Sequence, residues 1–200
     1  MAKLEIIPYQ PGWPAEYEAL AGRLRAALGP LALRVDHIGS TAVPGLAAKD
    51  VIDVQITVAA LEAETAEAVT RALAPLGYRL TENASRDHRP PGAGGPETDW
   101  AKLYFHAPEG GDPAYVGSRA RTHLHVRAQG RPNQRYPLLF RDYLRAHPAT
   151  AAAYAELKRR LAAGLADPDS YPDVKDPAVD LIYLAAEEWA MATGWTAENA

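Results

Sequence analysis

The sequence predicts an α+β fold, in which a mixed β-sheet flanked by helices is followed by a C-terminal helical bundle. Three features of the chain predict it. Short segments of alternating or β-branched residues, typical of strands, lie in the first two thirds of the chain. Stretches with helical periodicity lie before and between them and fill the last third. Glycine or proline bounds most of these segments, as expected where helices and strands end.

The first half of the chain contains two predicted helices and two predicted strands. A helix is expected over 13–29, because apolar residues recur there every three or four positions from Tyr17 onward. Alternation predicts a strand over 33–38. Residues 51–58 form the segment richest in β-branched side chains and predict the strongest strand. A helix over 61–76 is then expected to end at a glycine.

The second half begins with strands and ends with helices. Strands are predicted over 78–81, 100–107 and 119–127. The Gly- and Pro-rich residues 82–99 form a long loop, and loops of that length are usually functional or disordered. Three helices are predicted over 136–147, 150–165 and 174–193. In the middle one of these, Lys158 is expected on the charged outer face.

Length and composition limit what the chain can do. Its 200 residues predict one structural unit, an α+β core over 1–135 with a helical region over 136–200 packed on it. The absence of cysteine excludes disulfides, thiolate metal sites and a cysteine nucleophile. A net charge of −4 argues against a nucleic-acid partner. Without a leader pattern or an apolar run near the roughly 20 residues of a membrane span, we expect a cytoplasmic protein with no membrane partner.

The turn at Gly39 and Ser40 is the first candidate for chemistry. A glycine–serine turn lets backbone N–H groups and a hydroxyl approach a phosphate closely. Asp53 lies on the following strand, where its carboxylate would hold Mg²⁺ against that phosphate. Gln55 is two residues further along and is expected on the same face of the strand. We therefore predict that these four residues surround a site for a phosphorylated ligand.

The strand over 119–127 is the second candidate. Its odd-numbered residues share one face and form a basic row of Arg119, Arg121, His123, His125 and Arg127. Such a row suits a phosphate or a carboxylate. Two other interpretations stay open. His123 and His125 would ligate a transition metal together with Asp53, or the row is a polar face without a ligand.

Five further residues are predicted near this cleft. Lys49 is expected either to neutralise a phosphate or to be exposed. His37 is expected to orient the glycine–serine turn, to touch the substrate or to be purely structural. Lys102 and Tyr104 share one strand face, which lines the cleft or is exposed. Arg141 either buttresses the cleft or lies on the outer face of a docked helix.

Several motifs resemble those of the GrpB family. They occupy residues 37–46, 48–49, 52–54, 123–126, 140–145, 154–158 and 175. The resemblance covers nearly the whole chain and keeps the order of the motifs. It implies the fold of the polymerase-β-like nucleotidyltransferase superfamily, in which Mg²⁺ assists nucleotidyl transfer. It also implies a link to dephospho-CoA kinases, because the family occurs fused behind some of them with a proposed accessory role in folding.

The chain departs from the active pattern of that superfamily. The pattern has a Gly-Ser turn, two acids at alternate positions of the next strand, and a third acid on a neighbouring strand. Asp53 matches the first acid, but the second position is Gln55. No acid stands at the centre of the later strands, where His123 and His125 lie. Losing two of three carboxylates removes most of the charge that positions two Mg²⁺ ions.

Three functional hypotheses follow. In the first, the chain binds a phosphorylated small molecule or nucleotide, with or without Mg²⁺-assisted nucleotidyl transfer. Asp53, as metal ligand, and His125 would be catalytic, and the phosphate would be held by Gly39, Ser40, Lys49, Arg121 and His123. In the second, the chain is a non-catalytic accessory or chaperone-like module of a dephospho-CoA kinase. In the third, it is a metal-dependent hydrolase built on Asp53, His123 and His125.

Overall fold

The computed structural model describes residues 4–81, 85–106 and 121–200. The helices are α1 (Trp13–Leu28), α2 (Ala63–Leu73), α3 (Pro132–Ala146), α4 (Pro148–Gly164) and α5 (Tyr171–Thr193). The strands are β1 (Arg34–Ile38), β2 (Val51–Val58), β3 (Arg79–Leu80), β4 (Leu103–His106) and β5 (Arg121–Ala128). The predicted α+β class is confirmed. The division of the chain at residue 135 stays a prediction.

The described strands form one mixed sheet in the order β1-β2-β5-β4-β3. The central pair, β2 and β5, is parallel, and the other neighbours are antiparallel. The register of the central pair sets Asp53 beside His123 and Gln55 beside His125. Because alternate residues of a strand point to the same face, these four side chains share one side of the sheet.

The opposite side of the sheet packs against α1 and α2. On β2, Ile52, Val54 and Ile56 are at most 1% exposed, and on β5, Leu124 and Val126 are fully buried. All five belong to one apolar cluster with residues of α1 and α2. Each such side chain contributes roughly 1.5–3 kcal/mol through burial. The alternation in the two strands therefore decides which face holds the core and which holds polar groups.

The helices α3, α4 and α5 cover part of the polar side. They bury a second apolar cluster that includes Leu46 and Ala47, which follow the glycine–serine turn. Ile38, at the end of β1, packs against Leu138 of α3. The C-terminal helices therefore pack directly beside the turn and the polar face of β2. No helix in the described ranges is long and apolar enough to cross a membrane.

Several predicted boundaries differ in the structure, among them the starts of β4 and α3. The strand predicted from residue 100 begins at Leu103, and the segment before it is a short 3-10 turn that ends at the buried Trp100. The reason is that the backbone there pairs with the preceding loop: Lys102 N donates to Ser85 O, and Asp87 N donates to Trp100 O. Helix α3 begins four residues early, at Pro132, because a proline is well suited to the first helical turn.

Asp87 ties the 85–102 loop to β5 and α3. Its carboxylate accepts hydrogen bonds from Lys102 Nζ at 2.8 Å, from Arg127 Nε at 2.7 Å and from Asn133 Nδ2 at 3.1 Å. Burial alone would raise the pKa of Asp87, but the charges of Arg127 and Lys102 outweigh it and hold the pKa well below its usual range. Lys102 and Arg127 are therefore parts of a structural network.

We expect Asp87→Ala to lower the free energy of unfolding by about 3–5 kcal/mol, because Arg127 would keep its charge in the interior without a carboxylate partner. Urea unfolding followed by tryptophan fluorescence measures the change. The matched control is Arg86→Ala, whose ion pair with Glu97 is more than half exposed on both sides. That variant should lose less than about 1 kcal/mol. Equal losses in the two variants would contradict the structural role of Asp87.

Candidate functional site

A pocket of about 360 Å³ opens beside the glycine–serine turn, and we call it the turn pocket. Its polar end contains Ser40 of the turn, Asp53 of β2 and two histidines of β5. Helices α4 and α5 contribute Lys158 and Lys175. Aromatic rings line the rest of the wall: Tyr136, Phe140, Tyr154 and Tyr171. The pocket therefore combines charged groups with aromatic side chains.

The turn and Asp53 approach so closely that only glycine fits between them. Gly39 has φ +71°, a backbone conformation that L-residues rarely adopt. A Cβ at this position would overlap the carboxylate of Asp53. The next residues, Ser40–Ala42, form a short 3-10 turn that carries the hydroxyl of Ser40 into the pocket. The sequence prediction that the turn lies against Asp53 agrees with this geometry.

Asp53 lies between the two histidines of β5. Its Oδ1 is 3.3 Å from His123 Nδ1 and 3.7 Å from His125 Nε2. Burial would raise the pKa of Asp53, but the two histidines outweigh it and hold the pKa well below its usual range. Burial lowers the pKa of His125 to about 4, helped by the charge of Arg127. At neutral pH, Asp53 is therefore ionised and His125 is neutral.

The sequence prediction missed Lys158, as it missed Lys175 and the aromatic residues of the pocket. Predicted on the outer face of its helix, Lys158 is 2% exposed instead, because α4 packs against the segment that follows the turn. Its Nζ donates to Ser40 Oγ at 2.8 Å and to Ala47 O at 2.6 Å. It also lies over the ring of Tyr154, 4.7 Å from the centroid. Burial lowers the pKa of Lys158 to about 7, and the nearby charge of Lys175 adds to this effect.

Two further lysines line the turn pocket. Lys49 Nζ lies over the ring of Tyr171, 4.2 Å from the centroid. Lys175 Nζ is 3.5 Å from Asp176. Together with Lys158, the described lining thus holds three amines against a single carboxylate, that of Asp53. This balance favours an anionic ligand.

Three of the residues predicted in the cleft are held elsewhere by partners of their own. Gln55 does share a strand face with Asp53, but it is fully buried and bonded to Arg127 and to the backbone of Gln134. It does not line the pocket, and neither does Lys102, which pairs with Asp87.

Tyr104 does not line the pocket either, and its ring packs against His123 and His125 at centroid distances of 5.4 and 5.1 Å.

His37 and Arg141 support the turn from behind. His37 is buried, stacks on Tyr17 and shares a 3.0 Å hydrogen bond with Thr41 Oγ1. Burial lowers its pKa to about 4. Arg141 is buried too, and it donates to His37 O at 3.0 Å. His37 thus contacts the turn through Thr41 and does not line the pocket, and its role stays a prediction. The side chain of Arg121 and the whole of Arg119 lie outside the described residues.

The donor atoms of the turn pocket do not fit a pair of protein-bound Mg²⁺ ions. Mg²⁺ prefers carboxylate oxygens, and among the described lining residues Asp53 is the one carboxylate. Within the described ranges, no group of three or more His, Asp or Glu side chains is arranged to hold a metal. The cluster of Asp53 with His123 and His125 therefore gives no support to the metal-dependent hydrolase.

We expect Gly39→Ala to lower the free energy of unfolding more than Gly45→Ala does. Both glycines have positive φ, so both variants carry backbone strain of about 1–3 kcal/mol. A Cβ at Gly45 meets open space, whereas a Cβ at Gly39 collides with Asp53. The difference in the free energy of unfolding between the two variants, measured by urea unfolding, gives the cost of the collision. A Gly45→Ala variant that is equally or more destabilised would contradict the close approach of Gly39 to Asp53.

The family model of the GrpB protein matches residues 3–184 of this chain. In sequence the chain is similar to a dephospho-CoA kinase of Mycolicibacterium paratuberculosis, with 39% identity over 208 residues, covering 97% of this chain and 48% of that protein. The chain therefore spans about half the length of the mycobacterial dephospho-CoA kinases that it matches.

In structure the chain is similar to the conserved protein GrpB from Enterococcus faecalis, with a TM-score of 0.71 and 30% identity over 92% of this chain and 99% of that one. A crystal structure of the Cid1 poly(U) polymerase with MgGTP bound gives a TM-score of 0.48 and 15% identity over 76% of this chain and 43% of that one. Because the family model covers nearly all of the sequence, the chain belongs to the GrpB family.

Proposed function

We propose that this chain binds a small phosphorylated molecule, with a nucleotide as the leading class, in the turn pocket. The observation that carries the proposal is the buried amine of Lys158. It is 2% exposed, and no carboxylate of the described residues forms an ion pair with it. Buried charges in proteins normally have a partner of opposite sign. A bound phosphate would supply that partner.

The groups around Lys158 suit a phosphate. The hydroxyl of Ser40 is within hydrogen-bond distance of the amine, so one phosphate oxygen would accept from both. Lys49 and Lys175 line the same pocket and would balance the remaining charge of a di- or triphosphate. Because Gly39 has no Cβ, the glycine–serine turn and the carboxylate of Asp53 can lie close together in this pocket.

The aromatic wall suits the other end of a nucleotide. Tyr136, Phe140 and Tyr154 line the same pocket as the charged groups, and the amine of Lys158 lies over the ring of Tyr154. Stacking of a base on an aromatic side chain is worth about 1–3 kcal/mol and is tolerant of base identity. The pocket of about 360 Å³ lies within the range typical of small-molecule sites. This supports a ligand with an anionic end and a planar end.

The proposal concerns binding, and transfer chemistry is a separate step. The catalytic roles predicted for Asp53 and His125, the phosphate contacts predicted for Arg121 and His123, and the Mg²⁺ ligation by Asp53 stay predictions. A nucleotide that arrives as its Mg²⁺ complex would bring the metal with it and would meet the single carboxylate of Asp53. Binding through Lys158 does not depend on that contact.

We expect calorimetry with ATP, GTP, CTP and UTP to show binding of at least one of them at pH 6.5. Lys158→Met should weaken that binding by tenfold or more, because a hydrogen bond to a charged group is worth about 1.5–3 kcal/mol. Binding should also weaken from pH 6 to pH 8, because only the protonated amine attracts phosphate and the pKa of Lys158 is about 7. The matched control is Arg160→Met on the same helix, whose side chain is 79% exposed.

No binding by the wild type, or equal binding by Lys158→Met, would contradict the proposal. Repeating the titration with and without Mg²⁺ on Asp53→Asn tests the metal. Weaker binding of the Mg²⁺ complex alone supports ligation by Asp53, whereas tighter binding in both series shows that Asp53 only repels the phosphate.

An exposed apolar stripe on α5 favours a second candidate, an accessory module. Val174, Leu181, Leu184 and Met191 lie on this helix and are 46–78% exposed. Apolar patches exposed on this scale often mark contacts with another protein. The mycobacterial relatives are named dephospho-CoA kinases, and the chain matches about half of their length. A kinase that gains stability from this stripe is the partner that these observations support.

For the accessory role, we expect the chain to suppress the heat-induced aggregation of a dephospho-CoA kinase, followed by light scattering. The double variant Leu181→Gln/Leu184→Gln should lose protection, because it removes the exposed apolar surface. Asp53→Ala and His125→Ala should protect as well as the wild type. Leu33→Gln is the matched control, since Leu33 is 48% exposed outside α5. Loss of protection in Asp53→Ala, or none in the wild type, would reject this candidate.

A further inference from the structure

We propose that Ser40 is a nucleophile and Lys158 is its general base, so that the turn pocket forms a covalent bond to an electrophilic phosphoryl group. This inference goes beyond reversible binding. It rests on the proposed function only in that both assign the turn pocket a preference for phosphoryl groups. A serine hydroxyl becomes a nucleophile when a base lies within hydrogen-bond distance of it. The structure places one at hydrogen-bond distance, on a helix more than a hundred residues away along the chain.

The pair has the geometry that an activated serine requires. Lys158 Nζ and Ser40 Oγ are 2.8 Å apart, within the roughly 2.6–3.2 Å over which a base takes a proton directly. The amine is fixed from two other sides, by a 2.6 Å hydrogen bond to Ala47 O and by the ring of Tyr154. Both side chains of the pair line the turn pocket, so a ligand there can reach the hydroxyl.

The neighbouring hydroxyl and imidazole are engaged elsewhere. Thr41 Oγ1 donates to Val51 O, shares a hydrogen bond with His37 and is buried. The imidazole of His37 is therefore hydrogen-bonded to Thr41 and not to Ser40. Asp53 is held by the two histidines of β5. Lys158 is thus the base that the described structure supplies to Ser40.

The amine also has a protonation state suited to this role. A solvated lysine stays protonated at neutral pH and cannot accept a proton. Burial lowers the pKa of Lys158 to about 7, Lys175 on α5 and Arg159 on α4 act in the same direction, and Asp53 on β2 opposes them. Lys49 and the two histidines of β5 line the same pocket. Near pH 7 a substantial share of the protein therefore carries a neutral amine beside the hydroxyl.

The covalent step balances as a substitution at phosphorus. Ser40 Oγ attacks the phosphorus atom and forms the Oγ–P bond while the bond from phosphorus to the leaving group breaks. The leaving group departs with the electron pair of that bond. The proton of Oγ passes to Lys158 Nζ, which can then return it to the leaving group or to water. No oxidant, reductant or further reactant is needed.

The test is labelling of the full chain with diisopropyl fluorophosphate, in which fluoride is the leaving group. We expect one diisopropylphosphoryl group per chain by intact-mass spectrometry, mapped to Ser40 by peptide sequencing. Ser40→Ala should not be labelled at this site. Lys158→Met and Lys158→Arg should be labelled at least a hundredfold more slowly, the range that general-base catalysis contributes. Lys158→Arg is informative because it keeps a positive charge and a donor but cannot accept the proton.

Ser85→Ala is the matched control, since Ser85 is exposed and does not line the turn pocket, and it should be labelled like the wild type. The labelling rate of the wild type should rise with pH around a midpoint near 7, a readout that holds even if a Lys158 variant fails to fold.

Absence of Ser40 labelling in a wild type that still binds nucleotide would overturn the nucleophile and leave the proposed function standing. Ser40 labelling at an unchanged rate in Lys158→Arg would overturn the role of Lys158.

Discussion

The parallel pairing of β2 with β5 is the constraint on which the site depends. Side chains alternate along a strand, so the register that buries Ile52 and Val54 must turn Asp53 to the other face. The same register places His123 beside Asp53. A shift by one residue would bury the carboxylate in the apolar core and expose the residues that now form it. The stability of the core therefore enforces the position of the functional groups.

The polar face of the sheet is divided into a sealed half and an open half. In the sealed half, Gln55 and Arg127 are buried and bonded to each other, and Asp87 closes the network. An acid at position 55 would face Arg127 and not a metal in the pocket. The departure at Gln55 from the superfamily pattern thus coincides with a structural use of this position. The open half keeps Asp53 and the turn accessible.

The sequence predicted the parts of the site that lie on strands. Alternation with a period of two was enough to place Asp53 and Gln55 on one face of β2 and His123 and His125 on one face of β5, because both strands are regular. It also led to the prediction that Gln55, on the same face, would line the cleft. Periodicity describes which residues share a face but not which part of that face another element covers. Helix α3 covers Gln55, and no feature of β2 itself indicates this.

The helical part of the site was predicted wrongly for a related reason. Lys158 was expected on the charged outer face of its helix. It lies four residues after Tyr154, however, and residues four apart share one side of a helix. That spacing to a buried tyrosine was the signal that could have identified it. The packing partner of α4, the segment after the glycine–serine turn, is distant in sequence and is visible only in the fold.

A charged amine that is buried without a carboxylate partner is unfavourable. The protonation state of Lys158 should therefore depend on whether the pocket holds a ligand. With the pocket free of ligand, burial favours the neutral form of Lys158, and its pKa of about 7 reflects this. A phosphate in the pocket would favour the protonated form, because attraction between opposite charges is strong where water is excluded. Reversible binding would draw that proton from solvent, whereas in the covalent step the proton comes from the hydroxyl of Ser40. The hydroxyl of Ser40, bonded to that amine, therefore meets an arriving phosphoryl group while its neighbour can still accept a proton.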